Sequence, residues 1–154
     1  WLDQASLEIR AIYAGFLIFA FVGHLSFVSI AIYRIGPGYS KVVEHYLGGD
    51  DEEEMIFPKD FPELLEVTHF HAYIEGIVLL VLTHIFVAIP VSNRVKWSVI
   101  VLSFGSTFLD LLSPWFIRYL SPVAAYGQIF AWLGMGISYF PLTLLPLYYL
   151  RRKS

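Results

Sequence analysis

The chain of 154 residues contains no cysteine. It therefore has no disulfide, no cysteine-held iron–sulfur cluster and no c-type haem attachment of its own. Charged side chains are also scarce, at 15% of the sequence. Because an ordinary soluble domain carries about 25% charged residues, this deficit argues against a soluble domain.

Apolar residues fill the space that charges leave, with 57% hydrophobic residues, 18% aromatic residues and a mean hydropathy of +0.64. A helix crosses a bilayer with about 20 apolar residues. The runs are too long for strands and lack their period-two alternation. The sequence predicts an all-α fold, an integral membrane four-helix bundle formed by residues 1–154 as a single transmembrane domain. The spans are expected at about 11–35, 66–89, 95–117 and 123–150.

Basic residues predict the orientation, because Lys and Arg concentrate in short cytoplasmic connections. Arg94 and Lys96 occupy one such connection, and Arg151 to Lys153 close the chain. Both termini are therefore expected in the cytoplasm, and residues 36–62 form an extracytoplasmic loop. We expect a multi-pass protein of the bacterial inner (cytoplasmic) membrane, in contact with the lipid bilayer and other membrane subunits, with no nucleic-acid partner.

Histidines interrupt two of the predicted spans: His24 lies on the first, and His69, His71 and His84 lie on the second. Ionisable side chains within a bilayer are costly and usually functional, and imidazole commonly ligates metals and haem iron. The step from His69 to His84 covers about 22 Å of helix and returns to within roughly 60° of the same face. These two side chains are expected to face the bundle interior, and His71 to face elsewhere.

This spacing resembles that of the haem-bearing helices in cytochrome b-type proteins. The resemblance implies one or two haem b groups, with His24 and His84 as ligands and His69 or His71 ligating the outer haem. The predicted function is a haem b-binding membrane subunit of an electron-transfer complex. It would pass electrons between the quinone pool and an extracytoplasmic cytochrome or other redox protein, as part of an oxidoreductase complex rather than as an enzyme alone.

Two carboxylates also fall within predicted spans, Glu75 on the second and Asp110 on the third. Either is expected to orient a ligating histidine or to handle protons at a quinone site. An ion pair between Asp110 and Arg118, two helical turns further on, is the structural alternative.

Two other functions remain open. Glu66 and His69 have the i, i+3 spacing of carboxylate-bridged metal sites. With His71, and with His45 of the loop, they predict a non-haem zinc, copper or iron site. The other is a cofactor-free structural anchor whose polar residues only join helices. The acidic run Asp50–Glu54 is either a solvated loop or a docking patch for a basic electron carrier.

Several blocks of sequence resemble a family of small four-span bacterial membrane proteins without an established activity. The blocks are Val43–Tyr46, Leu64–His71, His84 and Asp110–Pro122. The resemblance implies a four-helix integral membrane protein and no particular function.

Overall fold

The computed structural model describes residues 5–50 and 55–151. Four helices in it are long and apolar enough to cross a membrane, and the prediction of an all-α membrane bundle is confirmed. The helices are α1 (Leu7–Ile30, continued by a π-helical turn Ala31–Ile35), α2 (Tyr39–Leu47), α3 (Phe61–Val87), α4 (Asn93–Tyr119) and α5 (Ala125–Arg151, preceded by a 3-10 turn Pro122–Ala124). Two short strands, β1 (Gly49–Asp50) and β2 (Met55–Ile56), pair antiparallel in the loop.

Local signals explain why the helices begin a few residues before the predicted spans. Ser6, Asp60 and Ser92 are the N-caps of α1, α3 and α4, and each side chain accepts a hydrogen bond from a backbone N–H of the first turn. Pro62 fits the first turn of α3, where no backbone donor is needed. Gly48 ends α2 at φ 81°, and a Cβ there would lie 2.7 Å from the Ile56 carbonyl oxygen. Glycine is therefore required at this position.

The helix pair with the most extensive contact is α4 with α5, and small side chains make this contact possible. Gly134 packs directly against Ser106, and a Cβ on Gly127 would lie 3.1 Å from Ser113 Oγ. Small residues let membrane helices approach closely where hydrophobic burial gives no driving force. The α5 helix also packs against α1 and α3, so it forms the centre of the bundle.

The bundle has a terminal side and a loop side. On the terminal side, Arg10 donates a hydrogen bond to the Leu150 carbonyl and joins the start of α1 to the end of α5. On the loop side, α2 buries Val42 and Tyr46 against Leu64 and Ile117. The two ends of the described chain thus lie on the same side of the membrane, as predicted; which side is cytoplasmic stays a prediction.

Candidate functional site

Three polar residues of α3 lie on its inward face. Leu64, Thr68, His71, Glu75 and Leu79 follow one another at intervals of three or four residues, which places them on one helical face. Leu64 and Leu79 are buried in the two core clusters, so this face points into the bundle. His71 and Glu75 lie on this face close to the middle of α3, where the His71 side chain is half-buried and the Glu75 side chain is mostly buried.

The structure corrects the predicted orientation of the histidines on α3. His69 and His84 do share a face, but both are exposed on the outside of the bundle, whereas His71 faces inward. The angular arithmetic was right and the choice of face was wrong. The reason is that α3 is apolar all round, so hydrophobicity does not distinguish its lipid-facing side from its core side.

A cavity of about 370 Å³ separates α1 from α3. Its size falls in the usual range for small-molecule sites. The walls are mainly apolar and aromatic, and α5 supplies Met135 and Tyr139 as the floor. Two of the lining residues, Phe19 and Phe70, are largely exposed at the rim. Because they lie within membrane-spanning helices, this inner cavity opens toward lipid.

His24 lies in the wall of the inner cavity and is only 6% exposed. Its ring stacks on Tyr139, with centroids 4.5 Å apart and 16° between the planes, and Phe27 stacks at 6.4 Å. Among the described residues, none gives its Nε2 atom a hydrogen-bond partner. A buried polar atom without a partner costs about 1–3 kcal/mol, so this nitrogen is available to a ligand.

His71 and Glu75 form a pair at the opposite wall. His71 Nδ1 lies 3.1 Å from Glu75 Oε1, and since a carboxylate only accepts hydrogen bonds, the Nδ1–H donates. This contact fixes the tautomer and leaves the Nε2 of a neutral ring as an acceptor or a ligand. The second carboxylate oxygen of Glu75 is buried and has no partner within the described chain.

Asp110 on α4 extends the polar cluster formed by His71 and Glu75. Gln128 on α5 donates a hydrogen bond to its carboxylate, and the indole of Trp132 lies beside it. The suggested ion pair with Arg118 does not form, because the Arg118 Nε donates at 2.8 Å to the backbone carbonyl of Lys59 and holds the loop on α4. Asp110 is 8% exposed and Gln128 is 2% exposed. They belong to the interior of the bundle.

A second cavity, of about 380 Å³, begins on the loop side, and we call it the outer cavity. It is lined near its mouth by Arg34, His45, Lys59 and Glu63 and reaches down to Asp110 and Gln128. The outer cavity and the inner cavity share two wall residues, Phe27 and His71. The two cavities are therefore neighbours, with Phe27 and His71 in the wall between them.

His45 on α2 lies at the mouth of the outer cavity. Burial is the main cause that lowers the pKa of its imidazole, and the nearby Lys59 and Arg34 cations lower this pKa further against the opposing effect of Glu63. Burial also raises the pKa of the neighbouring Tyr46 hydroxyl. The His45 imidazole and the Tyr46 hydroxyl are thus kept neutral where α2 packs on the bundle.

The residues of the alternative metal site do not converge. Glu66 and His69 are exposed, and His71 points into the cavity. Within residues 5–50 and 55–151, no three histidine, aspartate or glutamate side chains form a group that would hold a metal ion. The acidic residues 51–54, and with them the expected docking patch, lie outside the described residues, as do residues 152–154 of the basic tail.

Sequence reasoning missed the contributions of Gln128 and Tyr139 on α5. Both interrupt an apolar run, and together with Ala131, Met135 and Leu142 they follow the spacing of three or four residues that marks a single face. In a span, polar residues at this spacing indicate the inward face better than apolar residues do.

The fold and this interior site define a multi-pass helical membrane protein with a polar cluster near mid-membrane. The chain belongs to the Aq_1264_TM family of transmembrane helical domains, whose family model matches residues 36–154. No curated protein and no solved structure shows a significant match to the chain.

Proposed function

We propose that the protein is a membrane subunit of an electron-transfer complex that binds a quinone in the inner cavity. A partner, either a cytochrome or another redox protein, supplies the group that exchanges electrons with the quinone. Oxidation of the quinol releases two electrons to that group and two protons to the site, and reduction of the quinone takes up the same numbers. This chain contributes the binding cavity and the side chains that exchange the protons.

One observation carries the proposal: two unpartnered polar atoms, His24 Nε2 and Glu75 Oε2, belong to opposite walls of a mainly apolar cavity. A quinone ring has oxygen atoms at its opposite ends and flat apolar faces between them. The aromatic walls suit the ring, and the two polar atoms suit its oxygens. The exposed rim between α1 and α3 offers a ligand in the bilayer a direct entrance.

The pair of His71 and Glu75 supplies the proton chemistry. An imidazole held by a carboxylate is a common proton acceptor near neutral pH. Asp110 lies on the other side of His71, in the wall of the outer cavity. The site therefore has acid–base groups within the interior, where a quinone needs them.

The test is titration of a short-chain quinone into the purified protein. Quenching of tryptophan fluorescence reports the binding. We expect saturable binding at one site per chain. His24→Leu should weaken binding about tenfold, since it removes a hydrogen bond from a desolvated site. His69→Leu, which alters an exposed histidine of α3, is the matched control and should bind as the parent does. Equal affinities for both variants, or no saturable binding, contradict the proposal.

A single haem b in the same cavity is the second candidate. His24 and His71 reach this cavity from facing helices, and the hydrogen bond from His71 to Glu75 is the usual support of a ligating imidazole. His69 and His84 face away and do not serve this cavity. If the purified protein shows a Soret band that is lost in both His24→Leu and His71→Leu, the ligand of this cavity is haem b and not a quinone.

A further inference from the structure

The outer cavity is asymmetric in its chemistry. Its mouth on the loop side is lined by charged side chains, and Thr68, Asp110 and Gln128 continue the polar lining inward. Gln128 Oε1 is buried and lacks a partner among the described residues. Buried polar atoms of this kind are usually satisfied by ordered water, and a volume near 380 Å³ holds several waters at about 30 Å³ each.

The terminal side offers no comparable path through the described residues. Below the inner cavity lies the larger core cluster, where Leu17, Leu79, Leu82 and Phe86 are at most 1% exposed. These side chains come from α1 and α3 and close the space beneath His24 and Glu75. Within the part of the chain that the structure describes, the polar cluster is therefore open toward the loop side, and the core cluster separates it from the terminal side.

We infer that the outer cavity is a water-filled half-channel that connects the polar cluster at His71 to the loop side of the membrane only. This inference about water in the outer cavity does not depend on which ligand the inner cavity binds. The further statement, that this half-channel carries the protons of the quinone reaction, rests on the proposed function. If the termini are cytoplasmic, as the basic residues predict, these protons exchange with the extracytoplasmic side.

The absence of cysteine makes the inference directly testable, because a single introduced thiol is the only one in the protein. Gln128→Cys and Leu111→Cys place a thiol in the wall of the outer cavity. Phe130→Cys and Phe108→Cys are controls within a turn of each on the same helices, at positions 66% and 63% exposed on the outside of the bundle. The probe is a cationic, membrane-impermeant methanethiosulfonate, added to membrane vesicles of each orientation.

Both cavity variants should react from the loop side at least about tenfold faster than from the terminal side, and about tenfold faster than their lipid-facing controls, since the reagent modifies thiolates in water. Leu111→Cys keeps the test valid if loss of the bond between Gln128 and Asp110 disturbs folding. Equal rates for cavity and control positions, or faster reaction from the terminal side, would overturn the half-channel. Quinone affinity is measured in a separate experiment. Failure of the half-channel is therefore distinguishable from failure of the proposed quinone binding.

Discussion

The imidazole of His24 lies nearly parallel to the phenol ring of Tyr139, 4.5 Å away between centroids. This stack joins α1 to α5 at the floor of the inner cavity and presents the unpartnered Nε2 of His24. The orientation of a polar atom on one helix thus depends on an aromatic ring of another, 115 positions later in the sequence.

Tyr139→Leu should weaken quinone binding, because it removes the ring that fixes the His24 imidazole. Stacked aromatic pairs contribute about 0.5–1.5 kcal/mol beyond area burial, so the dissociation constant should rise roughly two- to tenfold. Tyr139→Phe keeps the ring and should bind within about twofold of the parent. Titration of the short-chain quinone measures both; identical losses in the two variants would show that the hydroxyl, and not the stack, matters.

Gly134→Val should destabilise the bundle at the α4–α5 contact. A Cβ at Gly134 would collide with Ser106, and overpacking of this kind typically costs about 1–3 kcal/mol. Gly136→Val introduces the same side chain on the same helix, where a Cβ would have no neighbour within 4 Å. Unfolding in mixed detergent micelles gives the free-energy difference. A cost for Gly136→Val as large as that for Gly134→Val would refute the packing explanation.

Acidification should loosen α2 through His45. Its folded pKa is lower than the ordinary 6.5, so the unfolded segment binds more protons as the pH falls. The packing of α2 on the bundle is therefore fully stable above about pH 6.5 and weakens below it. Hydrogen exchange of the amides in residues 39–47, corrected for intrinsic rates, should show less protection at about pH 5.5 than at about pH 8.

His45→Gln should flatten this pH dependence because the side chain no longer titrates. His69→Gln removes an exposed histidine of α3 instead and should leave the parent profile unchanged. Protection of α2 that is constant with pH in the parent protein, or that rises on acidification, is incompatible with a lowered pKa at His45.

The hydrogen bond from Trp115 Nε1 to Thr68 Oγ1, at 2.8 Å, should couple α4 to α3. A double-mutant cycle with Trp115→Phe and Thr68→Val is expected to give a coupling free energy of about 0.6 kcal/mol, the average for such bonds between membrane helices. The same cycle with Trp97→Phe, at a position 68% exposed, should give none. Purely additive effects of Trp115→Phe and Thr68→Val would mean that the bond contributes nothing.

Much of the architecture was readable before the structure. The length and composition of the apolar runs predicted four spans, because a bilayer requires about 20 apolar residues per helix. Local signals also explain where α3 begins, since Asp60 caps it and Pro62 fits its first turn. His24, Glu75 and Asp110 were predicted as polar residues within spans, and all three side chains lie mostly buried in the bundle, since an ionisable group at mid-membrane is too costly to face lipid.

The pairing of these residues was not readable in the same way. His69 and His84 were predicted as haem ligands because they share a helical face, yet that face is the outer one. The sequence offered Arg118 as an alternative partner of Asp110, yet Arg118 binds the Lys59 carbonyl, and Gln128 of another helix donates to Asp110 instead. In both cases the sequence offers a spacing along one helix, and the outcome depends on which neighbour lies across from it.

The sequence by itself determined the number of membrane helices, their approximate ends and the presence of costly polar groups within them, because these follow from hydropathy and local capping. Only the tertiary structure decided which face of α3 is inward and that His24, His71, Glu75 and Asp110 line two adjoining cavities. The physical reason is that lipid and protein core are equally apolar, so the rotation of each helix is set by its contacts with the others.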